Sequence, residues 1–386
     1  MAPPQAKFGR VNPLGDHEFW MTRALQLAGK GIGHTSPNPC VGAVLVRRGV
    51  LIGEGYHHQA GAAHAEIEAL RSAARRGESV RGATLYVTLE PCCTQGRTPP
   101  CTDAILRAGI RHVVVAAEDP NPSHRGKGFE LLRQQGLRVT EGVLESQAHR
   151  LNEAFNHWIV HRTPWVTVKT AMTLDGKIAT ASGESKWITG ERSRNHAMGL
   201  RRSADAILVG INTVLADDPS LTVRHGRREA VSEAQPLRIV MDSQARTPRT
   251  AKVVTDRFAD RTIIVVTRSA PCRRIRLLEK HTNVWVAPIG RKNQVSIPWL
   301  LRRLGRENVT HLLVEGGGQA NASFLMGRHA HRLAVYWAPK VLGGRLALRG
   351  VAGRGADGLD TALRLVDLEW RRLGDDLFMT ARVQSV

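Results

Sequence analysis

Three residues far apart in the chain, His64, Cys92 and Cys101, have to meet at one point if they are to act together, and this limits the folds open to the sequence. One imidazole and two thiolates form a ligand set for zinc that leaves the fourth coordination position open. The carboxylate of Glu66, two residues after His64, is placed to carry protons without being a ligand. A His-x-Glu word alone is common. Followed by Pro91-Cys92 and a second cysteine at Cys101, it becomes specific.

Hydrophobic periodicity and turn residues place these words on elements. An amphipathic stretch over Phe19–Ala28, opened by Asp16, stops at Gly29. Strands are expected at Val41–Val46, Val50–Gly53, Thr84–Leu89, Arg111–Ala116 and Leu137–Thr140, and helices from His64 to about Arg75, over Thr102–Arg107 and over Leu131–Gln135. Alternation of this kind predicts an α/β/α sandwich. A helix over Ser146–Val160 precedes a hinge at Thr163-Pro164. Beyond it lies a second α/β unit, with strands at Trp165–Thr170, Ala206–Val209, Leu237–Met241, Thr262–Val266 and His311–Val314, then antiparallel strands at Leu333–Trp337 and Leu377–Val383. Two domains are expected, over 1–148 and 149–386.

In this reading His64 and Glu66 straddle a helix start, Cys92 follows a strand and Cys101 precedes a helix. Such positions lower thiol pKa and favour thiolate ligation. The pattern fits zinc-dependent base deamination, in which an activated water attacks an amidine-like carbon while a glutamate moves protons. A closed structural zinc site, with Cys93, His57 or His58 as fourth ligand, is the competing reading, and it leaves Glu66 without a role. The eight residues between Cys92 and Cys101 replace the Cys-x-x-Cys usual in nucleic-acid and nucleoside deaminases.

Five cysteines, three of them clustered at 92, 93 and 101, suit metal binding in a reducing cytosol better than disulfides. Cys40, Cys93 and Cys272 read as packing residues. No apolar run approaches the length of a transmembrane helix, and the first fifteen residues lack the apolar core of a secretory signal and read as a frayed terminus. The net charge of +21 is uneven, with 18 basic against 13 acidic residues in 1–150 and 37 against 21 beyond. That field suits anionic partners such as phosphorylated metabolites, a nucleotide cofactor or nucleic acid. An arginine-rich lineage would look the same.

The stretches Pro37-Asn38-Pro39-Cys40-Val41-Gly42-Ala43-Val44, Thr88-Leu89-Glu90-Pro91-Cys92, Gly96-Arg97-Thr98-Pro99-Pro100-Cys101 and Asp119-Pro120-Asn121-Pro122, with His64-Ala65-Glu66, resemble the riboflavin-biosynthesis deaminase family. In bifunctional members a reductase domain follows. The resemblance implies a cytidine-deaminase-like first domain in which Asn38, His57, Arg97, Asp119 and Asn121 line the pyrimidine and phosphoribosyl site. One departure is Thr94, where the family often has histidine.

The second half carries Ala171 to Lys177, Gly183 to Thr189, Asn212 to Pro219, Leu221 to Arg224 and Val314-Glu315-Gly316-Gly317-Gly318. The last reads as a strand ending in glycines before a helix at Ala320–Met326, an arrangement that admits phosphate, although a plain β–α turn looks alike. Together these stretches resemble the family's reductase domain, whose fold is similar to dihydrofolate reductase. The resemblance implies NADPH, with cofactor contacts at Ala171, Trp187, Thr213, Asp217, Ser243, Gly317, Gly318, Gln319, Ala320, Asn321, Ala322 and Ser323. It implies substrate contacts at Ser185, Arg201, Leu221, Arg224 and Glu315. The guanidinium forks of Arg201 and Arg224 suit a ribose phosphate; Asp175 and Lys177 read equally as a turn.

The expected protein is a cytosolic bifunctional enzyme with a small phosphorylated pyrimidine as substrate, zinc and NADPH as cofactors, and no nucleic-acid or membrane partner. A homo-oligomer is expected. The rivals are a nucleic-acid base deaminase with a basic RNA-binding second half, against which stands an aromatic content of 5%, and a binding protein with a retired second domain.

Overall fold

The structure is a computed structural model that describes residues 13–95, 99–225, 230–231, 235–290 and 293–384. The first twelve of the fifteen residues read above as frayed, and Gly96-Arg97-Thr98, lie outside the described residues, while residues 13–15 open the first helix. The chain divides into two compact units between His161 and Arg162.

The first unit runs α1 (Pro13–Ala28), β1 (Gly42–Arg47), β2 (Val50–Tyr56), α2 (Ala65–Arg75), β3 (Thr84–Leu89), α3 (Cys101–Arg107), β4 (His112–Ala117), α4 (Lys127–Gln134), β5 (Arg138–Thr140), α5 (Glu145–Leu151) and α6 (Glu153–His161). Its sheet has the order β2-β1-β3-β4-β5, with β1 antiparallel to both neighbours and β3, β4 and β5 parallel. Because side chains alternate along a strand, Ala43, Leu45, Leu85, Val87, Val113 and Val115 face Ala65, Ala69, Ile105 and Leu132 of α2, α3 and α4. The intervening Val44, Val46, Tyr86, Val114 and Ala116 face Met21, Ala24 and Leu27 of α1 and Ala148 of α5. This is the expected three-layer sandwich.

The helix expected over Ser146–Val160 is in fact α5 and α6. The break is at Asn152, whose buried side chain accepts the Cys40 N–H (2.8 Å) and donates to the Cys40 carbonyl (2.9 Å). Those bonds tie the region to the first unit, and the division between units falls beside the expected hinge at Thr163-Pro164.

The second unit runs β6 (Trp165–Thr173), β7 (Lys177–Ala179), α7 (Glu191–Arg202), β8 (Ala206–Gly210), α8 (Ile211–Asp217), β9 (Arg224–His225), β10 (Ala230–Val231), β11 (Leu237–Met241), α9 (Lys252–Thr255), β12 (Thr262–Thr267) and α10 (Cys272–Leu278). It continues with β13 (Asn283–Ala287), α11 (Ile297–Arg306), β14 (His311–Val314), α12 (Gly318–Met326), β15 (Arg332–Ala338), β16 (Leu348–Arg349), β17 (Leu365–Leu373) and β18 (Asp376–Val383). Nine strands form one sheet, β13-β12-β11-β8-β14-β6-β15-β18-β17, parallel from β13 to β15 and antiparallel beyond. Leu300, Leu304 and Phe324 of α11 and α12 cover one face; Val214, Val253 and Leu278 of α8, α9 and α10 cover the other. The carboxyl ends of β8, β11, β12 and β14 therefore open on one edge, where α/β sheets bind ligands.

Two strands of the nine-stranded sheet escaped sequence reading, as did the two- and three-residue β7, β9, β10 and β16. The two, β13 and β17, are edge strands, β13 partly exposed and β17 with mostly exposed side chains, so burial imposes little alternation on them. Cys272, expected to be buried, is exposed at the first position of α10.

Helix α2 lies very close to β2. A Cβ on Gly55 would fall 2.5 Å from the Glu68 Cβ and 2.6 Å from the Ala69 nitrogen. Gly55→Val is expected to destabilise the first unit by about 1–3 kcal/mol through overpacking. Its thermal unfolding midpoint and its zinc content should both fall; unchanged values would refute this account of the contact.

Candidate functional site

In the first unit the three donors meet. His64 occupies the N-cap of α2 with extended backbone, Cys92 lies just beyond β3, and Cys101 is the first residue of α3. Their ligand atoms all lie within 4.8 Å of one another, as three donors bound to one ion at about 2.0–2.3 Å must. His64 Nδ1 is 3.2 Å from Cys101 Sγ and 3.5 Å from Cys92 Sγ, and the Cys101 N–H donates to Cys92 Sγ at 3.3 Å. The Cys101 thiol and the His64 ring hold Cys92 well below the ordinary thiol range, against its burial, while Cys101 is pushed up by its bond to Cys92 and by burial. A soft thiolate pair with one imidazole fits zinc.

The donors that would close the site are elsewhere. Among the described residues Cys93, His57 and His58 do not join the cluster. His57 is buried; its Nε2 lies 3.0 Å from Asn38 Nδ2 and its Nδ1 3.0 Å from the Ala63 carbonyl, and burial lowers its pKa. Glu66 is 4% exposed in the first turn of α2. Burial, reinforced by the Cys92 charge, raises its pKa to about 6 against the opposing effect of His64.

Asp119 and Asn121 lie on the loop after β4, and burial raises the Asp119 pKa with the Cys92 charge adding to it. Asp119 Oδ1 accepts the Asn121 N–H (2.8 Å), and Asn121 Oδ1 accepts the Ser123 N–H (3.1 Å). Arg97 lies outside the described residues. Thr94 is exposed, with its hydroxyl 3.2 Å from His124 Nδ1.

Sequence reading passed over Glu90 except as part of a word. Its buried carboxylate accepts three backbone N–H groups, from Asp119 (3.1 Å), Gly126 (3.0 Å) and Gly128 (2.8 Å). It therefore holds the Asp119–Asn121 loop against the segment that carries Cys92. No local pattern signals this, because the three donors come from 29 to 38 residues away.

In the second unit the expected residues gather along the carboxyl edge of the sheet. Ala171 lies on β6, Thr213 and Asp217 on α8, Ser243 just past β11, and Gly317 is the N-cap of α12. A Cβ on Gly318 would fall 2.1 Å from the Arg349 carbonyl, whereas one on Gly317 would meet only the Thr213 hydroxyl, at 3.8 Å. Ser323 and Gln319 are tied through the Ser323 hydroxyl to the Gln319 carbonyl at 2.8 Å, and Ala320 and Ala322 are buried. Asn321 is fully buried; its Nδ2 donates to the Gly350 carbonyl (2.9 Å), and its Oδ1 has no hydrogen-bond partner among the described residues. A helix start with an open glycine backbone and an unsatisfied buried acceptor fits a phosphate-bearing cofactor that also offers N–H donors. Ser185 donates to Asp217 Oδ1 (3.1 Å), and Trp187 is 64% exposed beneath the Arg194 guanidinium.

Three residues named from the sequence are engaged or enclosed within the unit. Arg201, whose fork suits a ribose phosphate, pairs with Glu315 through Nε–Oε1 (2.8 Å) and Nη2–Oε2 (3.0 Å), and its Nη1 donates to the Thr222 carbonyl (3.0 Å). The Leu221 side chain is 2% exposed, so only its backbone is available to a ligand. Asp175 is a turn residue: it accepts bonds from the Thr173 hydroxyl and from the Leu342 and Gly343 N–H groups. Arg224, on β9, is half-buried. Lys169 of β6, not singled out from sequence, places Nζ 3.9 Å from Glu315 Oε2. Burial alone would raise the Glu315 pKa, but Arg201 and Lys169 hold it down at about 2.

Residues 14–117 match the cytidine and deoxycytidylate deaminase zinc-binding region, and residues 164–379 match the RibD C-terminal domain. The riboflavin biosynthesis protein RibD of Aquifex aeolicus is 45% identical over 358 residues, 93% of this chain and 96% of the relative. The chain belongs to the RibD family. Among solved RibD structures, that from Acinetobacter baumannii is 34% identical with a TM-score of 0.84, covering 96% of this chain and all of that one. A Thermotoga maritima structure described as a diaminohydroxyphosphoribosylaminopyrimidine deaminase/5-amino-6-(5-phosphoribosylamino)uracil reductase is 35% identical with a TM-score of 0.82, covering 97% and 100%. With the second half matched as the RibD C-terminal domain, the RNA-binding rival is not favoured.

Glu90→Gln in this RibD-family chain puts an N–H₂ group where a backbone N–H now donates. The expected outcome is retained zinc with deamination reduced about 10- to 100-fold, mostly through a higher KM. Zinc assay and steady-state kinetics check it; unchanged kinetics would exclude the loop-holding role.

Proposed function

We propose that this chain carries out two consecutive steps on a phosphorylated aminopyrimidine in riboflavin biosynthesis. The first unit deaminates 2,5-diamino-6-ribosylamino-4(3H)-pyrimidinone 5′-phosphate. The second reduces the ribosyl side chain to ribityl with NADPH. The observation that carries the reading is the meeting of His64, Cys92 and Cys101 beside a buried Glu66. A metal position with a protonatable carboxylate next to it suits hydrolysis of a ring amine better than a structural role.

His64, Cys92 and Cys101 would hold a zinc ion, which when bound would acidify a water for attack on the amine-bearing ring carbon. Glu66 takes a proton from the attacking water and delivers it to the departing nitrogen, so that an amine and a water become a carbonyl and ammonia. Asn38 and His57, already bonded to each other, are fixed to present polar edges to the pyrimidine, and Asp119, Asn121 and Arg97 are assigned with them to the pyrimidine and phosphoribosyl site.

Ala171, Trp187, Thr213, Asp217, Ser243 and the Gly317–Ser323 turn would hold NADPH, which when bound would supply hydride to the ribosyl carbon beside the amine of a ring-opened imine. Glu315, kept ionised by Arg201 and Lys169, can only accept hydrogen bonds and so orients substrate hydroxyl or N–H groups. Ser185, the Leu221 backbone and Arg224 complete the pocket, with Arg224 as the guanidinium for phosphate.

The setting of this reading is the cytosol; no helix among the described residues is long and apolar enough to cross a membrane. A homo-oligomer belongs to it as well. Support comes from the outer strands of the second unit, where Leu368 and Trp370 are about half exposed beside a stacked Trp337. Trp370→Arg is expected to lower the mass measured by light scattering; a monomeric unmodified chain would end that part of the proposal.

Mass spectrometry of the diaminopyrimidine phosphate after incubation, with and without NADPH, tests both steps. Exchange of amine for carbonyl without NADPH, then a two-hydrogen gain only with it, is the expected result. Glu66→Gln should keep zinc and the reductase step while deamination falls at least about 10³-fold. Deamination retained in that variant would refute the role of Glu66.

A further inference from the structure

Strand β11 carries an arginine where an inner parallel strand calls for an apolar side chain. Arg238 is 1% exposed and lies between β8 and β12. Taking a guanidinium out of water is costly unless its charge and N–H groups are met. Asp256 meets it with a two-point pair, Nη1–Oδ2 at 2.6 Å and Nη2–Oδ1 at 2.8 Å, and the Val253 carbonyl accepts from Nη2 at 3.2 Å. The Nε has no partner among the described residues. Apolar side chains could replace such a pair at no loss of stability. One bond reaches further: Nη1 donates to the Ser220 carbonyl at 3.0 Å.

Ser220 lies in an unusual segment. Asp218 and Leu221 have φ of 41° and 53°, the left-handed region that side-chain-bearing residues avoid. The segment is pinned at Asp218, Ser220, Thr222 and Val223. Asp218 Oδ1 accepts the Lys252 N–H (2.8 Å), and Thr222 is held through its carbonyl by Arg201. The buried Gln235 side chain grips Val223 at both backbone groups, accepting its N–H at 2.7 Å and donating to its carbonyl at 3.1 Å. Residues held in sparsely populated conformations by surrounding side chains cluster at ligand clamps. This one carries the Leu221 backbone and leads into Arg224.

We propose that Arg238 and Gln235 are positioning residues for the pyrimidine-phosphate site of the second unit, fixing the 218–224 segment so that the Leu221 backbone and Arg224 meet the substrate. Neither touches substrate. The inference rests on the reductase reading of that unit. Arg201 couples the clamp to Glu315, because the guanidinium that binds the Glu315 carboxylate also holds Thr222.

The test uses the full chain, with deamination as an internal control. Gln235→Leu and the paired change Arg238→Met with Asp256→Asn, which removes both charges of the pair together, are assayed for NADPH-dependent reduction of the deaminated pyrimidine phosphate. Positioning predicts a rise of about tenfold or more in KM for the pyrimidine, with KM for NADPH and deaminase turnover unchanged. A purely structural role predicts either no kinetic change or equal loss for both ligands, and either result would overturn the proposal. If the paired variant does not fold, Gln235→Leu decides by the same criteria, with Gln235→Glu, which keeps the acceptor for Val223, expected to recover part of the loss. If neither leucine nor glutamate at 235 alters the KM for the pyrimidine, the clamp is refuted. Absence of any NADPH-dependent reduction by the unmodified chain would instead refute the reductase reading.

Discussion

The first site depends on how closely helix α2 can lie on strand β2. Gly53 and Gly55 have no side chain between the strand and the backbone of Glu68, Ala69 and Ala73. That contact fixes where α2 begins, and its beginning carries His64 at the N-cap and Glu66 in the first turn. Cys92 and Cys101 arrive from β3 and α3, whose positions follow from the sheet order and from Ile105 packing in the same core as Ala65 and Ala69. The meeting of the three donors is thus a consequence of packing.

Two buried carboxylates show how environment divides the chemistry. Glu66 has no cation bonded to it and sits near a thiolate, so its pKa rises to about 6, within reach of proton exchange near neutral pH. Glu315 is as deeply buried but lies against Arg201 and Lys169, so it falls to about 2 and stays an acceptor. One is suited to moving a proton and the other to holding a ligand still. Glu90 is a third case, buried and met by three backbone N–H groups, and its office is to hold a loop.

Much of the fold was legible because burial enforces periodicity. β3, β11 and β14 fall where their apolar runs place them, since both faces of each strand are covered. β17 was missed for the opposite reason: on the sheet edge its Asp367, Glu369, Arg371 and Arg372 cost nothing, so the strand leaves no alternation to read. The break at Asn152 was missed because its cause is a bond to Cys40, 112 residues away. The metal donors were legible as residue types, since few other side chains bind zinc and their spacing is distinctive.

The sequence by itself determined the donor set, the alternation of strands and helices in both halves, and membership in a family, because these reside in residue identity and local period. Only the tertiary structure decided who partners whom. Arg201 meets Glu315 only because β14 brings that carboxylate from 114 residues away, and Arg238 is buried only because β11 is enclosed by β8 and β12. A charged side chain's role is set by what neutralises it, and sheet order chooses that neighbour.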